Sequence, residues 1–131
     1  MDDKIGVGVG AIVAQDGRLL MVRRAKDPGR GLWSIPGGHV ELGEYLMDAV
    51  RREVKEETDL DVEVRELIGI LELPEEDHLI ILDYGATIVG PGRPTPGDDV
   101  DDARWVPFDD VVKLQCTPRF HETMRGWGVL P

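Results

Sequence analysis

Residues 33–60 read Trp33-Ser34-Ile35-Pro36-Gly37-Gly38-His39-Val40-Glu41-Leu42-Gly43-Glu44, and then Tyr45-Leu46-Met47-Asp48-Ala49-Val50-Arg51-Arg52-Glu53-Val54-Lys55-Glu56-Glu57-Thr58-Asp59-Leu60. The apolar spacing predicts a helix from about Tyr45 to Thr58. At about 100° per residue, Leu46, Ala49 and Val50 define an arc toward the core. Glu53, Glu56 and Glu57 fall in the same arc one to two turns later, while Asp48, Arg51 and Lys55 hold the opposite face. The three glutamates follow an i, i+3, i+4 spacing, so their carboxylates lie side by side in the turns where the helix dipole is negative. An anion there loses roughly 0.3–1 kcal/mol, and like charges on neighbouring turns cost a few tenths more. Most acidic clusters are simply solvated helix ends. A bound cation would reverse the sign of the penalty.

From Gly38, five residues lead to Glu44, and seven more lead to Arg52-Glu53-Val54-Lys55-Glu56-Glu57-Thr58-Asp59-Leu60. This resembles the signature box of the Nudix hydrolases, Gly-x5-Glu-x7-Arg-Glu-U-x-Glu-Glu-x-Gly-U with U aliphatic. Eight of the nine specified positions match, the exception being Asp59 in place of glycine. A glycine there would supply a left-handed residue to end the helix, and Asp tolerates that conformation. The departure therefore touches helix termination and leaves the carboxylates in place. The resemblance implies an α/β fold, a Nudix-type α/β/α sandwich with a mixed central β-sheet. It also implies hydrolysis of a pyrophosphate linkage with Mg²⁺ as cofactor and Mn²⁺ as a substitute.

Phosphoryl chemistry requires charge on nonbridging oxygens to be neutralised while water is held in line, and carboxylates holding divalent cations do both. Glu53, Glu56 and Glu57 are the expected metal ligands and catalytic residues. One of them, or an acid on a nearby loop, takes the proton from water. By resemblance the Gly38 carbonyl also faces a metal, and Gly37 lets backbone approach the substrate. Arg52 is expected to orient the glutamates by salt bridges, and Glu44 is as readily structural as ligating. Asp98 and Asp99 stand about where related hydrolases place a further acidic ligand or base; Asp99 is carried as a metal ligand. Arg23 and Arg24 point to opposite sheet faces, so at most one meets phosphate, and resemblance favours Arg23. Trp33 could stack on a base or simply pack.

The chain of 131 residues is expected to form one domain over residues 1–131. Its formal charge of −11 repels polymeric nucleic acid and anionic lipid. A small-molecule nucleotide substrate remains compatible if cations and a few basic side chains meet its phosphates. The lone Cys116 cannot form an internal disulfide, no stretch is long enough to span a membrane, and Met1-Asp2-Asp3-Lys4 lacks the features of a signal peptide, so a cytoplasmic protein is expected. A homodimer is allowed.

Ile5–Ala14 and Arg18–Arg24, joined at Asp16-Gly17, are expected to pair as a hairpin. Trp33–Ile35 reads as a short strand before a Pro36-Gly37-Gly38 turn. Val62–Leu73 and Leu79–Val89 read as a second hairpin, followed by a loop at 90–102 and a strand at Ala103–Val106. Helices are expected from Phe108 to Leu114 and, with Thr117 as N-cap, from Pro118 to Gly126. Around the box the sequence is similar to the ADP-ribose pyrophosphatase branch, whose members carry a proline shortly beyond it. Pro74 fits that position and fits equally a turn between strands. ADP-ribose or a related nucleotide sugar is thus the expected substrate. The alternatives are a nucleotide-sanitising (d)NTP pyrophosphohydrolase and a non-catalytic Nudix-like sensor, the latter expected to lose box glutamates.

Overall fold

The computed structural model describes residues 4–131; the reading of Met1, Asp2 and Asp3 lies outside the described residues. In chain order the elements are β1 (Gly6–Ile12), β2 (Ala14–Gln15), β3 (Arg18–Arg24), β4 (Trp33–Ser34), β5 (Gly37–His39) and α1 (Leu46–Thr58). Then follow β6 (Asp61–Leu73), β7 (Leu79–Val89), β8 (Val100–Pro107), α2 (Phe108–Val111) and α3 (Phe120–Gly126). One sheet, ordered β5-β1-β7-β6, is mixed: β1 runs parallel to β7, and the other pairings are antiparallel. A second, antiparallel sheet has β3 paired with β2, β4 and β8.

The expected opening hairpin is therefore corrected. Only Ala14-Gln15 pairs with Arg18-Leu19, while β1 leaves for the mixed sheet, where its alternating glycines make room for the side chains of Leu79, Ile81, Asp83 and Ile35. Gly37–His39 is likewise a strand on β1 rather than a turn. The β6–β7 hairpin forms as expected, with Pro74 exposed in its turn.

Side-chain alternation divides the core into layers. On one side Ala49, Val50 and Val54 of α1 pack with Val9, Ala11, Leu20, Val62, Tyr84 and Ala86. On the other, Ile12, Leu19, Met21 and Trp33 meet Val111, Phe120 and Met124 of the C-terminal helices. Each fully buried Val or Leu contributes roughly 1.5–3 kcal/mol, so all three helices are held by their apolar faces. α1 ends at Asp59, which adopts the left-handed conformation (φ 60°, ψ 20°) expected at the usual glycine position. The C-terminal helices are shorter than expected: α2 stops at Val111, and α3 begins at Phe120. Its N-cap is a left-handed Arg119 rather than Thr117, because the Thr117 carbonyl accepts from the Phe120 N–H in a turn that precedes the helix.

β6 passes beneath Trp127 at Gly69, where any Cβ would collide with the indole ring. Overpacking of this kind costs ~1–3 kcal/mol. Gly69→Val is accordingly expected to lower the thermal unfolding midpoint, whereas Gly126→Ala, at a position with open space around it, is expected to leave it within measurement error.

Candidate active site

The middle of α1 and the segment before it are joined by an ion-pair network around Arg52. The Arg52 guanidinium donates through Nε and Nη2 to the two oxygens of Glu44 at 2.7 and 2.9 Å, and through Nη1 to Glu53 at 2.8 Å. It also reaches Glu56 at 3.3 Å, Glu41 at 3.6 Å and the His39 carbonyl at 3.0 Å. Glu44 additionally accepts from the Glu41 N–H at 3.1 Å. Hydrogen bonds from Arg52 and from the Glu41 backbone hold its carboxyl down at about 2. Glu44 is thus committed to orienting Arg52, and Arg52 touches Glu53 and Glu56 as the sequence suggested.

The three box glutamates meet different environments. Glu53 is nearly buried and lies against Gly38, where a Cβ would stand 2.5 Å from its carboxylate. Burial pushes its carboxyl up, opposed by Arg52. Glu57 accepts a hydrogen bond from the Gly37 N–H at 3.0 Å. Burial raises it to about 8, the Gly37 bond and Arg24 pull it down, and the charges of Glu53 and Asp99 push it further up. Glu56 departs from the expected buried arc: its side chain is 41 % exposed, because Val54 and Thr58 take the inward positions of this turn. Among the described residues no three acidic, His or Cys side chains converge as they stand on one metal-sized site, since Arg52 draws Glu53 and Glu56 toward itself.

A loop that the sequence marked only as Gly-Pro-Asp rich completes the neighbourhood. Thr95, Gly97 and Asp98 donate their N–H groups to the carbonyls of Thr58, Glu57 and Glu56 at 2.9, 3.0 and 3.0 Å. These are carbonyls without a helical partner at the end of α1. The loop thereby brings Asp99 into electrostatic reach of Glu57, while Asp99 also pairs with Lys26 at 2.7 Å.

The structure places the two expected substrate contacts, Arg23 and Trp33, beside each other. Arg23 is held by Asp101 at 2.6 Å and lies over the Trp33 ring; it is Arg24, one residue on and facing the other way, whose charge reaches Glu57. Trp33 is only 7 % exposed and packs in the core with a second guanidinium, Arg104, over its ring. The placement favours packing over stacking on a base for this ring. His39 and His78 are exposed, His121 bonds the Val111 carbonyl, and burial raises the half-buried Cys116 thiol to about 11, which suppresses its nucleophilic form. One acid escaped the sequence reading altogether: Asp83, in the apolar run Leu79–Tyr84, is buried on the face of the mixed sheet away from α1.

A helix whose carboxylates face a glycine strand, clamped at its end by an acidic loop, defines a domain suited to an anionic substrate and cations. The NUDIX domain model matches residues 4–127. The chain belongs to the Nudix family. It is 35 % identical over 111 residues to an ADP-ribose pyrophosphatase of Methanocaldococcus jannaschii, covering 82 % of this chain and 65 % of that protein. It is 51 % identical over 61 residues to a MutT-like protein of Streptomyces ambofaciens, covering 47 % and 38 % of the two chains. The alignments thus span less than two thirds of either relative. The crystal structure of a MutT Nudix hydrolase from Burkholderia pseudomallei superposes with a TM-score of 0.81 at 28 % identity, covering 93 % of this chain and 97 % of that one. No helix among the described residues is long and apolar enough to cross a membrane.

The buried Glu57 makes the metal-free protein sensitive to pH. An acid raised from its ordinary 4.5 to about 8 on folding binds its proton more tightly in the native state, so stability falls as pH rises between those values. Its contribution is intact below about 4.5 and lost above about 8. In EDTA the unfolding midpoint of wild type should therefore drop more steeply from pH 5 to 8 than that of Glu57→Gln; parallel profiles would show that Glu57 does not carry this buried charge.

Proposed function

We propose that this protein is a divalent-cation-dependent pyrophosphohydrolase that cleaves the diphosphate linkage of a nucleoside diphosphate derivative, with ADP-ribose or a related nucleotide sugar as substrate. The observation that carries the reading is the position of Glu57: a buried carboxyl raised to about 8 beside the backbone N–H of Gly37, with the charge of Arg24 near it. A cation would relieve its burial, and Gly38 lets the Glu53 carboxylate lie directly against the strand beside it.

Nudix hydrolases generally use divalent metals, and the donor set here is all oxygen, which suits Mg²⁺ or Mn²⁺. Glu53, Glu56 and Glu57 with the Gly38 carbonyl would hold the ions, Asp99 joining from the loop. When bound, they would neutralise charge on the phosphates and acidify water. The residues of this chain supply the rest. Arg52 holds Glu53 and Glu56 in place, Arg24 faces the phosphate side, and Glu57 or a loop acid such as Asp98 or Asp99 accepts the proton of the attacking water. The archaeal relative named an ADP-ribose pyrophosphatase and the box-proximal sequence favour a nucleotide sugar over a nucleoside triphosphate. The presence of every box glutamate favours turnover over a sensor.

Glu57→Gln and Glu56→Gln are each expected to lower kcat by two or more orders of magnitude without changing the fold, because they remove charge from the metal-binding set at constant side-chain size. Near wild-type turnover in both would end this mechanism. With Mg²⁺, ADP-ribose should yield AMP and ribose 5-phosphate at a higher kcat/KM than any (d)NTP; a preference for a triphosphate, with pyrophosphate released, would move the enzyme to the sanitising class. Mg²⁺ should also raise the unfolding midpoint, free metal at ~100 Kd adding roughly 2.7 kcal/mol for one site. That shift should shrink in the Glu56→Gln, Glu57→Gln double variant.

A further inference from the structure

The loop at the end of α1 and the loop after β3 meet at Asp99. Thr95, Gly97 and Asp98 donate their N–H groups to the last carbonyls of α1, and one residue on the Asp99 carbonyl accepts the Ala25 N–H at 2.9 Å. Val100 then enters β8 opposite Arg24. The Asp99 backbone is therefore pinned from both sides, in the left-handed conformation (φ 64°). Its side chain is the part left free to choose a partner.

Two partners compete for that carboxylate. Lys26 Nζ holds it at 2.7 Å, the two side chains being 72 % and 62 % exposed. Toward the site stands the buried Glu57, whose carboxyl the Asp99 charge pushes up. A divalent cation held by Glu57 would draw Asp99 that way, since Mg²⁺ and Mn²⁺ take carboxylate oxygens. The hydrogen bond and charge of Asp99, with the charge of Asp98, raise the Lys26 ammonium, so Lys26 stays charged at neutral pH and opposes the exchange.

Arg52 treats the box in a comparable way, drawing Glu53 and Glu56 to its own nitrogens. The chain's own cations thus keep these acids apart, and among the described residues no three converge on one ion. The two cations are not equally committed. Arg52 is anchored by both oxygens of Glu44 and is 23 % exposed, whereas among the described residues Lys26 has Asp99 as its one ion-pair partner and carries its charge on a flexible stem. Lys26 is the cation that can let go.

We propose that Lys26 is a positioning residue that acts as an internal competitor at the metal site: its ammonium latches the Asp99 carboxylate, and a divalent cation must displace it before Asp99 can become a ligand. The inference rests on the cation-dependent reaction proposed above and on Asp99 as a ligand of the site. A latch of this kind weakens apparent metal affinity by the fraction of protein it holds back. For an exposed ion pair that fraction corresponds to about two- to sixfold.

Titration of the metal-free protein with Mn²⁺, the free ion being read by electron paramagnetic resonance, measures the latch without turnover. Asp99→Asn should weaken Mn²⁺ binding several-fold, and Lys26→Met should tighten it about two- to sixfold. In the Lys26→Met, Asp99→Asn double variant the affinity should match that of Asp99→Asn alone, because the latch has lost its carboxylate. Lys26→Arg keeps a cation opposite Asp99 and should stay within about twofold of wild type. In EDTA the unfolding midpoint of Lys26→Met should equal that of wild type within measurement error, since the pair is exposed. Equal Mn²⁺ affinity in wild type and Lys26→Met would overturn the latch. The same tightening in the Asp99→Asn background would also overturn it, marking a bulk charge effect, and a Lys26→Met protein that melts earlier and binds Mn²⁺ more weakly would make Lys26 a structural residue instead. Diphosphate hydrolysis with no Lys26 effect on Mn²⁺ would overturn the latch and leave the reaction standing. Asp99-dependent tightening by Lys26→Met without hydrolysis of any diphosphate would do the reverse.

Discussion

The Arg52 guanidinium is the interaction on which the site depends. Four carboxylates, those of Glu41, Glu44, Glu53 and Glu56, lie within 4 Å of it, in a chain whose formal charge is already −11. Without it, Glu53 and Glu56 would repel each other along one helix edge and Glu53 would be buried unpaired, an arrangement that costs several kcal/mol for a charged group. The planar fork of Arg is what makes this possible: two nitrogens are taken by Glu44, and Nη1 remains for Glu53 beside it and Glu56 one turn on. A lysine ammonium could not span these partners in a fixed geometry. The network also explains why Glu44 precedes the helix, since its backbone-tethered carboxylate locks the direction in which Arg52 can point.

The electrostatics at the other end of α1 are less adverse than the sequence implies. Helix-end carbonyls project negative charge at nearby carboxylates, but those of Glu56, Glu57 and Thr58 accept N–H groups from Asp98, Gly97 and Thr95. The loop thus blunts the dipole where the glutamates stand. Gly97 is required for this, since a Cβ there would collide with the Glu56 carbonyl. Helix and loop form one unit, so any movement of the 95–99 segment shifts Asp99 relative to Glu57.

What the sequence disclosed was what is local. The helix bounds, the left-handed Asp59, the β6–β7 hairpin and the Arg52 ion pairs all follow from spacings within a few residues of one another. The errors share a cause, which is that they depend on partners distant in sequence. β1 alternates like half of a hairpin, yet its partners are β5 and β7, and nothing near Asp16-Gly17 marks the change of sheet. Arg23 and Arg24 are one residue apart on alternating faces, and which one meets the site depends on the bulge between them where β8 joins. Glu56 was assigned inward by a helical wheel that ignored Val54 and Thr58. Asp83 was visible as an acid in an apolar strand, but its burial depended on strands and an indole more than ten residues away in the chain.

The alternation of β1 now reads as two faces with separate tasks. Val9 and Ala11 pack beneath α1, while on the other face Gly6, Gly8 and Gly10 make room for the side chains of Leu79, Ile81, Asp83 and Ile35. A glycine in a strand interior costs roughly 0.5–1 kcal/mol relative to alanine, and three in one strand would weaken an isolated hairpin. A strand paired on both sides can carry that loss, because its ladder is held by neighbours and its buried face is apolar. The space that the glycines leave is filled by side chains from β7 and the β4–β5 connection, Leu79 over Gly6, Ile81 over Gly8, and Asp83 with Ile35 over Gly10. The same strand that seats α1 on one face thereby seats the side chains of its parallel neighbour β7 on the other.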